Sequence, residues 1–188
     1  MDFVAVDVET ANPDYSSICQ IGIAGFADGV VHTSWKSYVD PQDYFYPMNI
    51  AVHGISETEV SGAPTFSEIY SELVDRLAGQ IVVHHTAFDK VSINRAVAKH
   101  GLRELSSQWL DSARIARRAW EKYSRRGYGL ANLTSELGIQ FAHHDALEDA
   151  IAAGKIACMA VEKSGICVQE WLTRVSEPIT KCHSHATE

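Results

Sequence analysis

Cysteine is scarce in this sequence of 188 residues: Cys19, Cys158, Cys167 and Cys182 are scattered, with no Cys-x-x-Cys pair. That spacing argues against a zinc-ribbon or redox centre, and reduced structural thiols are the expectation. Long apolar runs are missing too. Nothing approaches the roughly 20 residues of a membrane helix, and the first residues lack the basic region of a secretory signal. A cytoplasmic protein without membrane association is expected. Positive charge is short as well, with 16 Lys and Arg against 24 Asp and Glu and a formal net charge of −8. A chain so balanced does not coat nucleic acid by bulk charge. A local grip on phosphates stays open, because clustered carboxylates would themselves add to the acidity. Internal repeats and low-complexity segments are lacking, and 46% apolar and 21% charged residues are ordinary globular usage. Such a length can bury about 70% of the unfolded surface in one domain. The expected domain covers residues 1–177, followed by a short polar tail, 178–188.

What is present begins with Phe3-Val4-Ala5-Val6-Asp7-Val8-Glu9-Thr10, an apolar strand carrying two acids. Alternation puts Asp7 and Glu9 on the face of Phe3 and Ala5, opposite Val4, Val6 and Val8. Two buried carboxylates side by side cost several kcal/mol unless they neutralise, pair with cations or bind metal. Metal is the working expectation. Residues 17–26 and 30–39 read as two further strands joined by a turn containing Asp28-Gly29, a strong hairpin signal. Residues 40–51 read as an irregular connection. Ser56 and Glu59 fit a capping box for one short helix, and Thr65 with Glu68 fits another. The second helix has an inner stripe of Phe66, Ile69, Leu73 and Leu77 and ends at Gly79.

Gln80 to His84 looks like a strand buried on both faces. Residues 87–100 are helical in spacing, with Val91, Ile93, Ala96, Val97 and Ala98 inward. A brief strand near 108–110 precedes helices over about 112–123 and 130–137, the latter stopped by Gly138. A last long helix follows His144, capped by Asp145 and Glu148 and packed through Ala146, Leu147, Ala150, Ile151, Gly154, Ala157 and Val161. Interleaved strands and helices with a hairpin predict an α/β fold with a central mixed sheet flanked by helices.

Ligands of open α/β sheets bind where strands end and helices begin. Asp7 and Glu9 sit at one strand end, Asp89 at a strand-to-helix junction, and Asp149 five residues after His144 in the first turns of the last helix. Four carboxylates are hard oxygen donors, suited to Mg²⁺ or Mn²⁺. A pair of such ions suits phosphodiester hydrolysis, and His144 could take a proton from the attacking water at neutral pH.

Three motifs carry a resemblance. They are Asp7-Val8-Glu9-Thr10, Val83-His84-His85-Thr86-Ala87-Phe88-Asp89, and His144-Asp145-Ala146-Leu147-Glu148-Asp149, the last with HxxxxD spacing. In this order, over residues 3 to about 160, the chain resembles the DEDDh (DnaQ-like) 3′ to 5′ exonucleases. These include the proofreading epsilon subunit of bacterial DNA polymerase III, RNase T and oligoribonuclease. Val52-His53-Gly54-Ile55 and Tyr128-Gly129-Leu130-Ala131-Asn132-Leu133 look like further landmarks of that family.

The resemblance implies a ribonuclease H-like fold and release of nucleoside 5′-monophosphates from 3′ ends. It implies that Asp7, Glu9, Asp89 and Asp149 hold two Mg²⁺ or Mn²⁺ ions and that His144 is the general base. It places the terminal nucleotide against Thr10, Val52, His53, Ile55 and Phe88. Single-stranded or frayed DNA is the favoured partner, with RNA as the alternative. The further partner it allows is a polymerase or a second copy of the chain. His85 departs from the asparagine that relatives often carry.

Other readings stand beside this one. An oligoribonuclease-like activity shares the chemistry, and a non-catalytic binding subunit shares only the fold. The histidine pairs His84-His85 and His143-His144 and the tail Cys182-His183-Ser184-His185 invite zinc, but no four-ligand structural spacing supports it. Arg114, Arg117, Arg118, Lys122, Arg125 and Arg126 could track phosphates or simply form a solvated face. Phe45, Tyr46, Phe88 and Trp120 could stack on bases or pack internally.

Overall fold

The alternation in the first segment produces strand β1, Phe3–Thr10, at the centre of a five-stranded sheet. The computed structural model describes residues 2–140 and 144–179. Strands β2 (Ile18–Ala27) and β3 (Val30–Tyr38) form the hairpin, and β4 (Ile81–His84) and β5 (Gln108–Asp111) complete the order β3-β2-β1-β4-β5. β1 runs antiparallel to β2 and parallel to β4, which is parallel to β5, so the sheet is mixed. Asp28 and Gly29 both take left-handed φ, 51° and 81°, the conformation a two-residue turn between right-twisted strands needs.

Helices α1 (Pro47–His53), α2 (Phe66–Leu77), α3 (Phe88–Lys99), α4 (Ser112–Ala119), α5 (Leu130–Leu137), α6 (Ala146–Ser164) and α7 (Val168–Arg174) flank this sheet. One face carries Val6, Val8, Ile21, Ile23 and Val82 against Leu73 and Leu77 of α2 and Ile93 and Val97 of α3. Thr65 and Glu68 form the expected capping box of α2, whose inner stripe is buried as read. Each such buried side chain contributes about 1.5–3 kcal/mol. The other face carries Phe3, Ala5, Phe26, Val83 and Leu110 against Ala150, Ala153 and Ala157 of α6 and Trp171 of α7. Small residues let α6 lie close. A Cβ on Gly22 would sit 2.2 Å from the Leu147 nitrogen, and one on Gly154 would sit 2.3 Å from the Phe26 ring. Asp7 and Glu9 therefore project on the α6 side of the sheet, as the alternation predicts.

Several boundaries differ from the sequence reading. The stretch read as irregular contains α1, which Pro47 opens at a position where its missing N–H is harmless. The short helix expected from Ser56 is only a turn: Glu59 does bond back to Ser56, but no further helical residues follow. α4 stops at Trp120, whose extended backbone separates it from a 3₁₀ turn at Glu121–Tyr123. Ala98 is exposed rather than inward, because α3 buries the narrower set Ser92, Ile93, Ala96 and Val97. α7 was unanticipated. His143 and the histidine- and cysteine-bearing tail from residue 180 lie outside the described residues. None of the helices among the described residues is long and apolar enough to cross a membrane.

Candidate active site

Three elements bring the acids together. Strand β1 supplies Asp7 and Glu9, the first turn of α3 supplies Asp89, and the first turns of α6 supply Asp149. Asp89 is 1% exposed, and its Oδ1 accepts the Val8 N–H at 3.2 Å. Its Oδ2 is buried without a hydrogen-bond partner. Burial pushes the Asp7 carboxyl well above its usual range, and the charges of Asp89, Asp149 and Glu9 push it further. Glu9 is raised to about 8, by burial first and then by Asp149, Asp89 and Asp145. Burial lifts Asp89 to about 7, opposed by backbone N–H groups that include those of Val8 and His85.

Asp7, Glu9 and Asp89, holding protons this tightly beside Asp149, form a site short of positive charge. The orphaned oxygen of Asp89 and the all-oxygen donor set fit a hard divalent cation. Among the described residues, ligand atoms of Glu9, His144 and Asp149 lie within 4.8 Å of one another and could hold an ion.

His144 stands on the exposed side of this cluster with a left-handed φ of 68°, and its N–H donates to Asp149 Oδ2 at 3.1 Å. The N-terminus of α6 behind it is held from three directions. Asp145 Oδ1 caps Leu147 and Glu148, Lys36 of β3 pairs with Asp145 Oδ2 at 2.6 Å, and Gln20 of β2 accepts the Ala146 N–H. Gln20 and Lys36 carry no motif, so only pairing across the sheet identifies them.

Beside the acids, the Thr10 carbonyl accepts from Asn49 Nδ2 at 2.8 Å and from His53 Nε2 at 3.2 Å. The Ile55 N–H donates to His53 Nδ1 at 3.0 Å, so the ring is neutral with its proton on Nε2. Burial, reinforced by nearby His144, lowers the His53 pKa and favours that form. Thr10, His53 and Ile55 thus form one bonded unit, and Ile55 itself is buried against Ala11, Cys19 and Val60. Val52 is 52% exposed on α1 and Met48 66% exposed. Phe88 is half-buried, edge-on to Tyr15 at 5.0 Å and packed on the core, so its ring serves packing. The sequence reading missed Asn49 and the helix that carries it. Proline at the start of a helix was the signal that could have revealed them.

His85 is 8% exposed and bridges Ser112 Oγ, at 2.8 Å, to the Tyr128 carbonyl, at 3.0 Å. Burial depresses its pKa to about 4, so the ring is neutral at pH 7. Nε2–H then donates to Tyr128, and Nδ1 accepts from Ser112. The departure from asparagine is a buried tie between β4, α4 and the loop before α5. The basic stripe is partly consumed. Arg117 stacks on Tyr128 at 4.8 Å, Arg118 donates to the carbonyls of Arg114 and Glu177, and Lys122 pairs with Glu136 at 2.7 Å.

The sequence profile RNase_T, described as Exonuclease, matches residues 4–157. The DNA polymerase III PolC-type protein of Streptococcus thermophilus strain LMD-9 is 27% identical over 178 residues, which are 90% of this chain. The chain spans only 12% of the length of that relative. Among solved structures, Exonuclease X in complex with 5′ overhanging duplex DNA superposes with a TM-score of 0.73 at 21% identity, covering 92% of this chain and 98% of the other. The nuclease domain of 3′hExo, a DEDDh family member bound to rAMP, gives 0.72 at 16% identity over 87% and 92%. The fold is ribonuclease H-like.

Proposed function

Because this chain belongs to the DEDDh 3′ to 5′ exonuclease family, we propose that it removes nucleoside 5′-monophosphates one at a time from the 3′ ends of single-stranded or frayed nucleic acid, DNA in preference to RNA. The observation that carries this reading is the convergence of Asp7, Glu9, Asp89 and Asp149, with the protons of Asp7, Glu9 and Asp89 held more tightly than in water and His144 at their edge. These four acids would hold two divalent cations, Mg²⁺ or Mn²⁺. When bound, the cations offset phosphate charge and stabilise the charge that develops in the transition state.

The chain's own groups do the rest. The Thr10, His53 and Ile55 unit, with exposed Val52 beside it, seats the terminal nucleotide so that its phosphodiester faces the acids. His144 takes the proton of the attacking water; its exposure lets that proton pass to solvent. The hydrogen bond from its backbone to Asp149 holds it next to the cluster. DNA is preferred on the strength of the PolC-type relatives and of the neighbour bound to duplex DNA. Those relatives also support association with a polymerase, for which co-purification with a replicative polymerase is the check. The neighbour bound to rAMP favours RNA as the second reading.

A time course on 5′-labelled DNA and RNA, single and double stranded, with Mn²⁺ decides among these. A ladder shortening from the 3′ end, faster on single-stranded DNA and abolished by chelator, is expected. Cleavage from the 5′ end, or undiminished cleavage in chelator, sinks the proposal, and a faster RNA ladder transfers it to the second reading.

A further inference from the structure

A second cleft lies at the far edge of the sheet, where the parallel strands β4 and β5 end and α3 and α4 begin, with α7 closing one side. Its volume is about 290 Å³, at the lower end of small-molecule sites. None of the four converging acids lines it, and neither does His144. Sheet order places it at the β4–β5 edge, on the side of β4 away from β1.

Its polar groups are arranged asymmetrically. His84 is 4% exposed, and its Nδ1–H donates to the Thr86 carbonyl. The ring lines the cleft, and no described residue bonds to its Nε2. Burial lowers the His84 pKa and keeps that nitrogen an acceptor. Asp111, the acid of the cleft, is held by the backbone through one oxygen: its Oδ1 accepts the N–H groups of Thr86, Ala113 and Arg114 at 2.9 to 3.3 Å. Lys90 and Arg114 supply two cations, and among the described residues neither side chain has an ion-pair partner. Trp109, edge-on to His84 at 5.7 Å, and Leu172 add an apolar wall. A ligand matching this lining has a dianionic or monoanionic head, a hydrogen-bond donor and a flat apolar part.

We propose that this cleft is a second nucleotide-binding site, in which Lys90 and Arg114 take the phosphate of a nucleoside phosphate, His84 Nε2 accepts from its sugar or base, and Trp109 and Leu172 cover its ring. The choice of a nucleotide rests on the nuclease reading above. The phosphate can come from a released mononucleotide or from a unit of the strand upstream of the 3′ end.

The test uses the full chain with Asp149→Asn, in excess chelator, so that neither turnover nor metal contributes. AMP is titrated calorimetrically, with adenosine as the phosphate-free control, and the titration is repeated after adding Arg114→Glu or, separately, Lys90→Glu. Arg114 is exposed and sits in the first turn of a helix, where Glu is tolerated, and circular dichroism verifies folding. AMP binding that adenosine does not reproduce, weakened about tenfold by either substitution, is the expected result for a lost charge-assisted contact. That result assigns the free mononucleotide as a source.

A second arm measures KM for a dinucleotide and for a long oligonucleotide in the active enzyme with and without Arg114→Glu. A rise confined to the long substrate assigns the strand phosphate. AMP binding that both substitutions leave intact, or no AMP binding together with unchanged KM values, overturns the proposal. Nuclease activity with an inert cleft refutes only the cleft, and binding at the cleft by a chain without nuclease activity refutes only the catalytic reading.

Discussion

The Gln20 side chain accepts the backbone N–H of Ala146 at 2.9 Å, joining positions 126 residues apart. Gln20 is 3% exposed in β2, and Ala146 opens α6, the helix that carries Asp149 and follows His144. Two residues along β2, Gly22 leaves the space that lets the helix come this close. The Lys36 to Asp145 pair adds a second tie from β3. The hairpin therefore sets where the last acid and the histidine stand relative to β1.

Gln20→Leu should disturb catalysis from a distance. It leaves the Ala146 N–H buried without an acceptor, a loss of about 1–3 kcal/mol, or roughly 2–4 °C in Tm per kcal/mol for a chain of this size. With α6 shifted, kcat should fall while KM changes little. Lys36→Ala removes a half-exposed pair and should cost about 1 kcal/mol or less. Thermal melts and steady-state kinetics of both variants check this; equal effects from the two would place the anchoring elsewhere.

Removing an acid should separate activity from stability. Asp7→Asn or Asp149→Asn should lower kcat by about three orders of magnitude, the scale of several kcal/mol of lost transition-state stabilisation. In chelator the same variants should melt no lower than the parent, because one of four mutually repelling carboxylates has become neutral. A large drop in Tm would show that these acids hold the fold together.

Stability without metal should decline as pH rises from about 4.5 to about 8. Glu9 and Asp89 ionise near their ordinary values in the unfolded chain but only at about 8 and about 7 when folded. Over that interval the folded state binds more protons, so raising pH favours unfolding. Adding Mg²⁺ or Mn²⁺ should raise Tm, and by more at pH 8 than at pH 5, since the ion replaces protons that are already leaving. Melting curves across pH with and without metal test this; a metal effect of equal size at both pH values would contradict it.

His85 should contribute a slope of the opposite sign. Its folded pKa of about 4 lies below the ordinary 6.5, so between these values the unfolded chain binds more protons and stability is lost as pH falls. The full effect is at most about 3 kcal/mol. In His85→Asn this acid-side loss should disappear while the decline above pH 6.5 remains. An acid limb identical in the variant would assign the loss to other groups.

Much of the fold was legible in local chemistry. Alternation in β1, the Asp28-Gly29 turn, the Thr65 and Glu68 box, the stop at Gly138 and the start of α6 after His144 depend on residues within a few positions of each other, and each forms as read or within a residue or two. Where competing local signals met, the reading failed. Aromatic and proline-rich residues concealed α1, and a correct side-chain bond at Ser56 and Glu59 produced only a turn because no apolar stripe followed to bury a helix.

The sequence by itself determined which residue types could do chemistry and in what order: Asp7, Glu9, Asp89, His144 and Asp149 stand at strand ends and helix starts whatever the packing. Tertiary structure alone decided that the carboxyl groups meet, since their proton affinities arise from shared burial and mutual repulsion across β1, α3 and α6. It also decided the supports at Gln20, Lys36 and Asn49 and the cleft around His84. These depend on contacts between residues far apart in the chain, and a pattern within one segment holds no information about which distant backbone N–H or carbonyl will face it.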